Sequence, residues 1–161
     1  MAEEDAQKQM AAALGRVVSG LFVVTARQGD KATGMLASWV QQCSFEPPQV
    51  SVAVQRGRFV HGLLADGVAF AVNVLADGQT DLLKHFGKGF GAGEPAFNGL
   101  DLYHTPAGVP VLRQALAHLD CRVAGRFPAG DHDLVIGQVV GGRPHADGSP
   151  AVHVRKNGLK Y

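Results

Sequence analysis

The chain is built largely from short apolar runs rich in β-branched residues, and turn-forming residues separate these runs at close intervals. Only three brief helical patterns interrupt them. Closely spaced strands with so little helix predict a mainly β, antiparallel barrel or sandwich and argue against a parallel, doubly wound sheet. The predicted strands cover residues 16–26, 32–45, 49–55, 68–75, 115–127, 132–144 and 150–156, and the predicted helices residues 4–14, 58–67 and 78–89.

Two segments define the turns most clearly. "RQGDK" at residues 27–31 has the composition of a hairpin turn, so residues 16–26 and 32–45 should pair. The second strand, "ATGMLASWVQQCSF", should end at Glu46, Pro47 and Pro48, because proline cannot donate to a β-ladder. "GKGFGAGEPAFNGL" follows a helical pattern and is predicted to be a loop, which is the wrong context for a dinucleotide-binding glycine motif.

Composition limits the classes of protein that need to be considered. The 161 residues suit one domain spanning 1–161, with an N-terminal helix within residues 1–15. A net charge of +1 gives no case for nucleic acid or an anionic membrane as partner. No secretion signal or membrane-spanning run is recognisable, so a cytoplasmic location is expected. Cys43 and Cys121 lie in apolar runs and are predicted to be reduced core residues.

Several polar residues are candidates for chemistry, each with a structural alternative. Small residues beside Trp39 leave room either for a neighbouring strand or for a flat ligand. In the "GDHD" turn, His132 could orient a substrate, or the turn could simply be a solvated loop. Arg56 and Arg58 could bind a phosphate or lie on the surface. Asn73 lies in an apolar strand and needs a hydrogen-bond partner if buried. The histidines lack the paired spacing of a local metal site, and none is predicted.

Four stretches occur in an order that resembles the flavin reductase-like family, whose fold is the FMN-binding split barrel. They are "FVVTARQGDKATGMLASWVQQCSFEPPQVSVAV", "FAVNVL", "FNGL" and "GDHDLVIGQV". "LLKHFGKGF" and "AVHVRKNGLKY" are most similar to the C-terminal flavin reductase module of flavodiiron proteins. The resemblance implies an antiparallel Greek-key split β-barrel with a few short helices.

The resemblance also implies a flavin site shared between the two subunits of a homodimer. The cofactor would be FMN, with FAD as the alternative, and NADH or NADPH would donate the hydride. His132, oriented by Asp131, would receive the nicotinamide nucleotide. Leu36 and Trp39 replace hydroxyl residues of the family pattern. The implied flavin-binding residues are Gly34, Met35, Leu36, Ala37, Ser38, Trp39, Val54, Gln55, Arg56, Arg58, His85 and Phe86.

Two functions follow from this resemblance. The first is an NAD(P)H-dependent flavin reductase that transfers hydride from nicotinamide to flavin, with a downstream oxygenase or redox protein as recipient. The second is a flavoredoxin-like, FMN-binding electron-transfer protein reduced by a protein partner. In either case the hard chemistry belongs to the flavin, and the protein supplies binding, alignment and exclusion of water.

Overall fold

A computed structural model describes residues 1–161 and shows a mainly β protein with three helices and eleven strands. The helices are α1 (Ala2–Leu14), α2 (Phe59–Leu63) and α3 (Thr80–Gly87). The strands are β1 (Ser19–Gly20), β2 (Phe22–Gln28), β3 (Lys31–Ala37), β4 (Val40–Phe45), β5 (Pro48–Gln55), β6 (Ala69–Val74), β7 (Leu102–His104), β8 (Pro110–Leu112), β9 (Ala117–Ala129), β10 (His132–Pro144) and β11 (Val152–His153).

Seven strands form one antiparallel sheet in the order β3-β2-β6-β9-β10-β5-β4. Two short antiparallel ribbons, β1–β11 and β7–β8, flank it. The predicted antiparallel, mainly β fold is therefore confirmed. The β2–β3 hairpin, which turns at Gly29 with a φ of 62°, was predicted from the sequence, whereas β9 and β10 were predicted as strands but not as a hairpin.

The sequence prediction of one strand over residues 32–45 is wrong. The chain pairs with β2 as far as Ala37, bends at Ser38 and Trp39, and from Val40 pairs with β5 at the other edge of the sheet. Since so few residues join the two edge strands, the edges converge at Ser38 and Trp39 without hydrogen bonding to each other. This break is the split of the barrel.

The barrel interior holds the largest of three hydrophobic clusters, to which β5 contributes the fully buried Val52 and Val54. The predicted partners of Asn73 are present. Its amide donates to the Val23 carbonyl at 2.9 Å and to the Thr25 hydroxyl at 3.2 Å, and its oxygen accepts from the Leu112 backbone N–H at 2.9 Å. Asn73 thus ties the unpredicted β7–β8 hairpin to the main sheet.

The two cysteines differ, contrary to the prediction that both lie in the core. Cys43 is exposed because β4 is an edge strand. Cys121 is buried in the main cluster, where desolvation, with a smaller contribution from Asp120, raises the pKa of its thiol to about 12. None of the three helices combines the length and apolar character needed to cross a bilayer.

Candidate functional site

A cleft of about 280 Å³ lies where the chain crosses from β3 to β4. Its walls come from the ends of β3 and β5, the last turn of α3, and β11 with the segment that follows it. Ligand sites are typically concave and mostly apolar with a few placed polar groups, and the walls have that character. The lining residues are Leu21, Met35, Leu36, Ala37, Ser38, Trp39, Ala53, Gln55, Arg58, Leu83, Phe86, Gly87, Gly89, His153, Arg155 and Tyr161.

The charge of the cleft is positive and uncompensated. Arg58 and Arg155 both line it, whereas no aspartate or glutamate does. Neither arginine belongs to any of the chain's ion pairs. Gly89, with a φ of 77°, lies so close to Arg58 that an added Cβ would stand 2.9 Å from the guanidinium. Two guanidinium groups without an ion-pair partner in one cleft suit an anionic ligand such as a phosphate.

The apolar wall depends on a close contact between Gly34 and Phe86. In α3 the side chains of Leu82 and Phe86, four residues apart, point into a second buried cluster. A Cβ on Gly34 would lie 2.7 Å from the Phe86 ring, so glycine is what allows α3 to seat on β3. Gly34 does not itself line the cleft. The missing side chain makes room for Phe86, which borders the cleft although only 1% of it is exposed.

Trp39 stands at the mouth of the cleft and is 37% exposed. The Arg155 guanidinium lies over its ring, 4.8 Å from the centroid. The rings of His132 and Tyr161 approach the indole at centroid distances of 5.0 and 5.8 Å. These residues come from three distant parts of the chain; Trp39, Arg155 and Tyr161 form an aromatic and cationic rim, and His132 lies behind it.

His132 lies beside Asp131, as the sequence predicts, but it does not line the cleft. Its Nδ1 lies 2.7 Å from the Asp131 carboxylate, so the predicted orienting pair is formed. That hydrogen bond is the main reason why the pKa of Asp131 is lowered. However, His132 is only 6% exposed and its Nε2 bonds the Tyr161 hydroxyl. The imidazole therefore reaches the cleft only through Tyr161.

Arg56 is not a cleft residue. Its guanidinium pairs with Asp133 at 3.0 Å and donates to the Gly130 carbonyl at 2.6 Å, which secures the turn before His132. Asp133 also accepts from His61 at 2.7 Å and from Arg126 at 3.0 Å. These contacts, the bond to His61 foremost, lower the pKa of Asp133. Of the two arginines singled out in the sequence, only Arg58 faces the cleft.

Of the remaining residues predicted to bind flavin, some line the cleft and others do not. Gln55 lines the cleft, while Val54, its neighbour on β5, points into the core and is fully buried. His85 does not line the cleft. Its Nε2 bonds the Ala96 carbonyl at 2.7 Å and so anchors the glycine-rich loop to α3. No three side chains in the structure are grouped so as to hold a metal ion.

Sequence reasoning did not identify several wall residues, chiefly His153, Arg155 and Tyr161. The similarity of the segment "AVHVRKNGLKY" to a family module does not identify individual site residues. Its one usable signal was a short β-pattern followed by basic residues. The pairing of Ser19 with His153 brings this segment alongside β1 and thereby to the cleft. That contact joins residues more than 130 positions apart, which local patterns do not encode.

The fold and the cleft define a flavin reductase-type domain. The model of the family described as "Flavin reductase like domain" matches residues 14–158. The chain belongs to this family, as the ordered motifs predicted.

Similar proteins agree with this assignment. The chain is 45% identical over 151 residues to "Putative diflavin flavoprotein A 6" of Nostoc sp., covering 92% of this chain and 26% of that protein. It is 43% identical to "Diflavin flavoprotein A 1" of Synechocystis sp. with the same coverage. The chain thus spans about a quarter of the length of these curated relatives.

Solved structures share the fold. The NADH:FAD oxidoreductase SgcE6 of Streptomyces globisporus superposes with a TM-score of 0.79 at 28% identity, covering 91% of this chain and 82% of that chain. The styrene monooxygenase flavin reductase of Pseudomonas putida does so with a TM-score of 0.75 at 26% identity, covering 89% and 90%.

Proposed function

We propose that the cleft binds FMN and that the protein is an NAD(P)H-dependent flavin reductase. The observation that carries the proposal is that two arginines without an ion-pair partner line a mostly apolar cleft that holds no carboxylate. FMN combines a flat, largely apolar ring with a phosphate, so it matches both halves of the cleft. On this proposal, residues 1–161 act as one flavin reductase-like domain.

Different residues of the cleft would bind different parts of the ligand. Arg58, beside the glycine-rich turn after α3, would hold the phosphate. Leu36 and Trp39 would contact the flat ring, and Ser38 and Gln55 would supply hydrogen bonds along the β3–β5 side. FAD also carries phosphate and could use the same arginine. FMN is proposed instead of FAD because FMN is the smaller molecule and the cleft is small.

Flavin accepts a hydride from a nicotinamide and so supplies the redox chemistry when it is bound. The chain's own contribution is alignment and exclusion of water, which turn a bimolecular encounter into an oriented one. The open rim beside Trp39 is where the nicotinamide nucleotide would enter. Asp131 and His132 stand behind this rim, and Arg155 lies on it as a second anion-binding group.

One structural observation favours the electron-transfer alternative. His132, which the family resemblance assigns to the nicotinamide nucleotide, is buried and already bonded on both ring nitrogens. If Tyr161 stays in place, the nucleotide has no direct contact with the imidazole. A flavin in this cleft would then take its electrons from a redox protein, and its edge would remain accessible beside Trp39.

We further propose that the protein is a homodimer. The outer face of β9, β10 and β5 aligns Phe127, Leu134 and Ala53 in register, and Phe127 is 57% exposed. Ala53 also lines the cleft, so a second copy covering this apolar face would close the open side of the site. Sedimentation equilibrium should give twice the chain mass, and Phe127→Glu should shift it to the chain mass. A wild-type monomer at micromolar concentration would contradict this.

The test of function has two steps. The purified protein is titrated with FMN and the bound flavin is then mixed anaerobically with NADH or NADPH. The flavin reductase proposal expects bleaching of the flavin absorbance by at least one nicotinamide, well above the rate for free FMN. Binding of FMN without bleaching, combined with reduction by a reduced ferredoxin-type donor, would establish the electron-transfer alternative. No binding of any flavin would refute both.

A further inference from the structure

Asp131, His132 and Tyr161 form one continuous hydrogen-bonded chain that runs from solvent to the cleft. The Asp131 side chain is 80% exposed. It bonds His132 Nδ1 at 2.7 Å, and His132 Nε2 bonds the Tyr161 hydroxyl at 2.5 Å. Tyr161 lines the cleft. All three groups can gain and lose a proton, and the middle one is shielded from water.

We propose that this chain is a proton relay whose terminal donor, the Tyr161 hydroxyl, exchanges a proton with the flavin ring. The proposal rests on the function proposed above. Reduction by a nicotinamide follows NAD(P)H + flavin + H⁺ → NAD(P)⁺ + reduced flavin. The nicotinamide gives the hydride with both electrons, and the relay gives the remaining proton, which it takes from water at Asp131. Each group of the relay ends in the protonation state in which it began.

The surroundings of Tyr161 suit a proton donor. Partial burial raises the pKa of its phenol, with Asp131 adding to the effect, so the hydroxyl carries its proton at neutral pH. Arg58 and Arg155 act in the opposite sense and would stabilise the phenolate that exists during transfer. Without a ligand Tyr161 is 74% exposed. A ring in the cleft would cover the phenol from the inner side, and the bond to His132 Nε2 would give the hydroxyl a fixed proton path to Asp131.

The relay also explains why His132 is not a cleft residue. Both of its ring nitrogens are engaged, so it cannot touch a ligand without losing one of these bonds. Arg56 holds the turn that carries the pair, through its bonds to Gly130 and Asp133. Tyr161 is therefore the catalytic residue of the relay, and His132 and Asp131 act through it.

The experiment uses Tyr161→Phe, which keeps the ring and removes the hydroxyl. Flavin-loaded protein is photoreduced, then mixed with ferricyanide, which accepts only electrons. A pH-indicator dye reports the proton released as the ring is oxidised. We expect Tyr161→Phe to slow proton release about tenfold or more, as for loss of a general acid–base group. The FMN dissociation constant should stay within about twofold of wild type. Tyr103→Phe, in the distant β7–β8 hairpin, is the matched control and should match wild type.

A second variant and a second measurement test the same relay. Asp131→Asn alters an exposed side chain and should slow proton release in the same direction. In flavin-free protein, the ¹⁵N resonance of His132 Nε2 should move in Tyr161→Phe and stay in place in Tyr103→Phe.

Proton release at the wild-type rate in Tyr161→Phe would overturn the relay. A large loss of FMN affinity in that variant would also overturn it, because Tyr161 would then be a binding residue. Ferricyanide oxidation involves no nicotinamide, so the relay can be confirmed or refuted even if NADH and NADPH fail to reduce the flavin and the proposed function falls.

Discussion

Replacement of Arg58 by alanine tests the assignment of the phosphate end of the cleft. Arg58 lines the cleft without an ion-pair partner, so a bound phosphate would gain its charge-assisted hydrogen bonds at little cost to the fold. Such bonds contribute about 1.5–3 kcal/mol when shielded, and exposed ion pairs about 1 kcal/mol or less. Because Arg58 is exposed in the free protein, we expect a value of about 1.4 kcal/mol, which is about tenfold in affinity.

The assay compares FMN with riboflavin, which lacks the phosphate. Fluorescence titration should show that Arg58→Ala weakens FMN about tenfold and riboflavin less than about twofold. Added salt should weaken FMN binding by the wild type more than by the variant, because charge attraction is screened. Arg56→Ala is the matched control. Its guanidinium is bound to Asp133 and Gly130, so it should not distinguish the two flavins. Equal weakening of both flavins by Arg58→Ala, or discrimination by Arg56→Ala, would refute the assignment.

Three further predictions concern the scaffold of the site. Gly34→Ala should lower the free energy of unfolding by about 1–3 kcal/mol and weaken FMN binding, because its Cβ would displace Phe86. Gly62 is exposed and unhindered in α2, so Gly62→Ala should not destabilise the protein. Equal thermal shifts for the two variants would contradict the argument. Asn73→Ala should lower the free energy of unfolding in urea by about 3 kcal/mol, because the buried Leu112 N–H would lose its hydrogen-bond acceptor. A loss below about 1 kcal/mol would contradict this role of Asn73. The lowered pKa of Asp133 means that its ionised form stabilises the fold above the unfolded-chain pKa of about 4, and that this stability is lost as the pH falls further. Asp133→Asn should therefore flatten the acid side of the stability profile, and an unchanged profile would count against these contacts.

The sequence predicted the strands well because period-two patterns and turn residues are local signals. It located the hairpin at Gly29, the strands β9 and β10 and the loop after α3. It failed at Ser38 and Trp39, where the chain changes from one sheet edge to the other. Nothing in the apolar pattern there records which strand is the partner, since both edges accept the same residue types.

The site was predicted in part for a related reason. Motif similarity found the stretch from Met35 to Trp39, which lines the cleft in full. Motif similarity did not distinguish Arg56 from Arg58. The two arginines lie two residues apart, and the path of the chain after β5 decides which of them faces the cleft. Arg155 and Tyr161 were missed as individual residues. They reach the cleft through the short pairing of β11 with β1, a contact between the two ends of the described chain.

The central claim is that the cleft beside Trp39 is the flavin site, and a crystal structure of the protein with FMN tests it most directly. The account predicts the ring against Leu36 and Trp39, the phosphate within hydrogen-bond distance of Arg58, and the Tyr161 hydroxyl facing the ring. FMN bound elsewhere, or a cleft filled by the Trp39 indole in crystals grown with excess FMN, would contradict it.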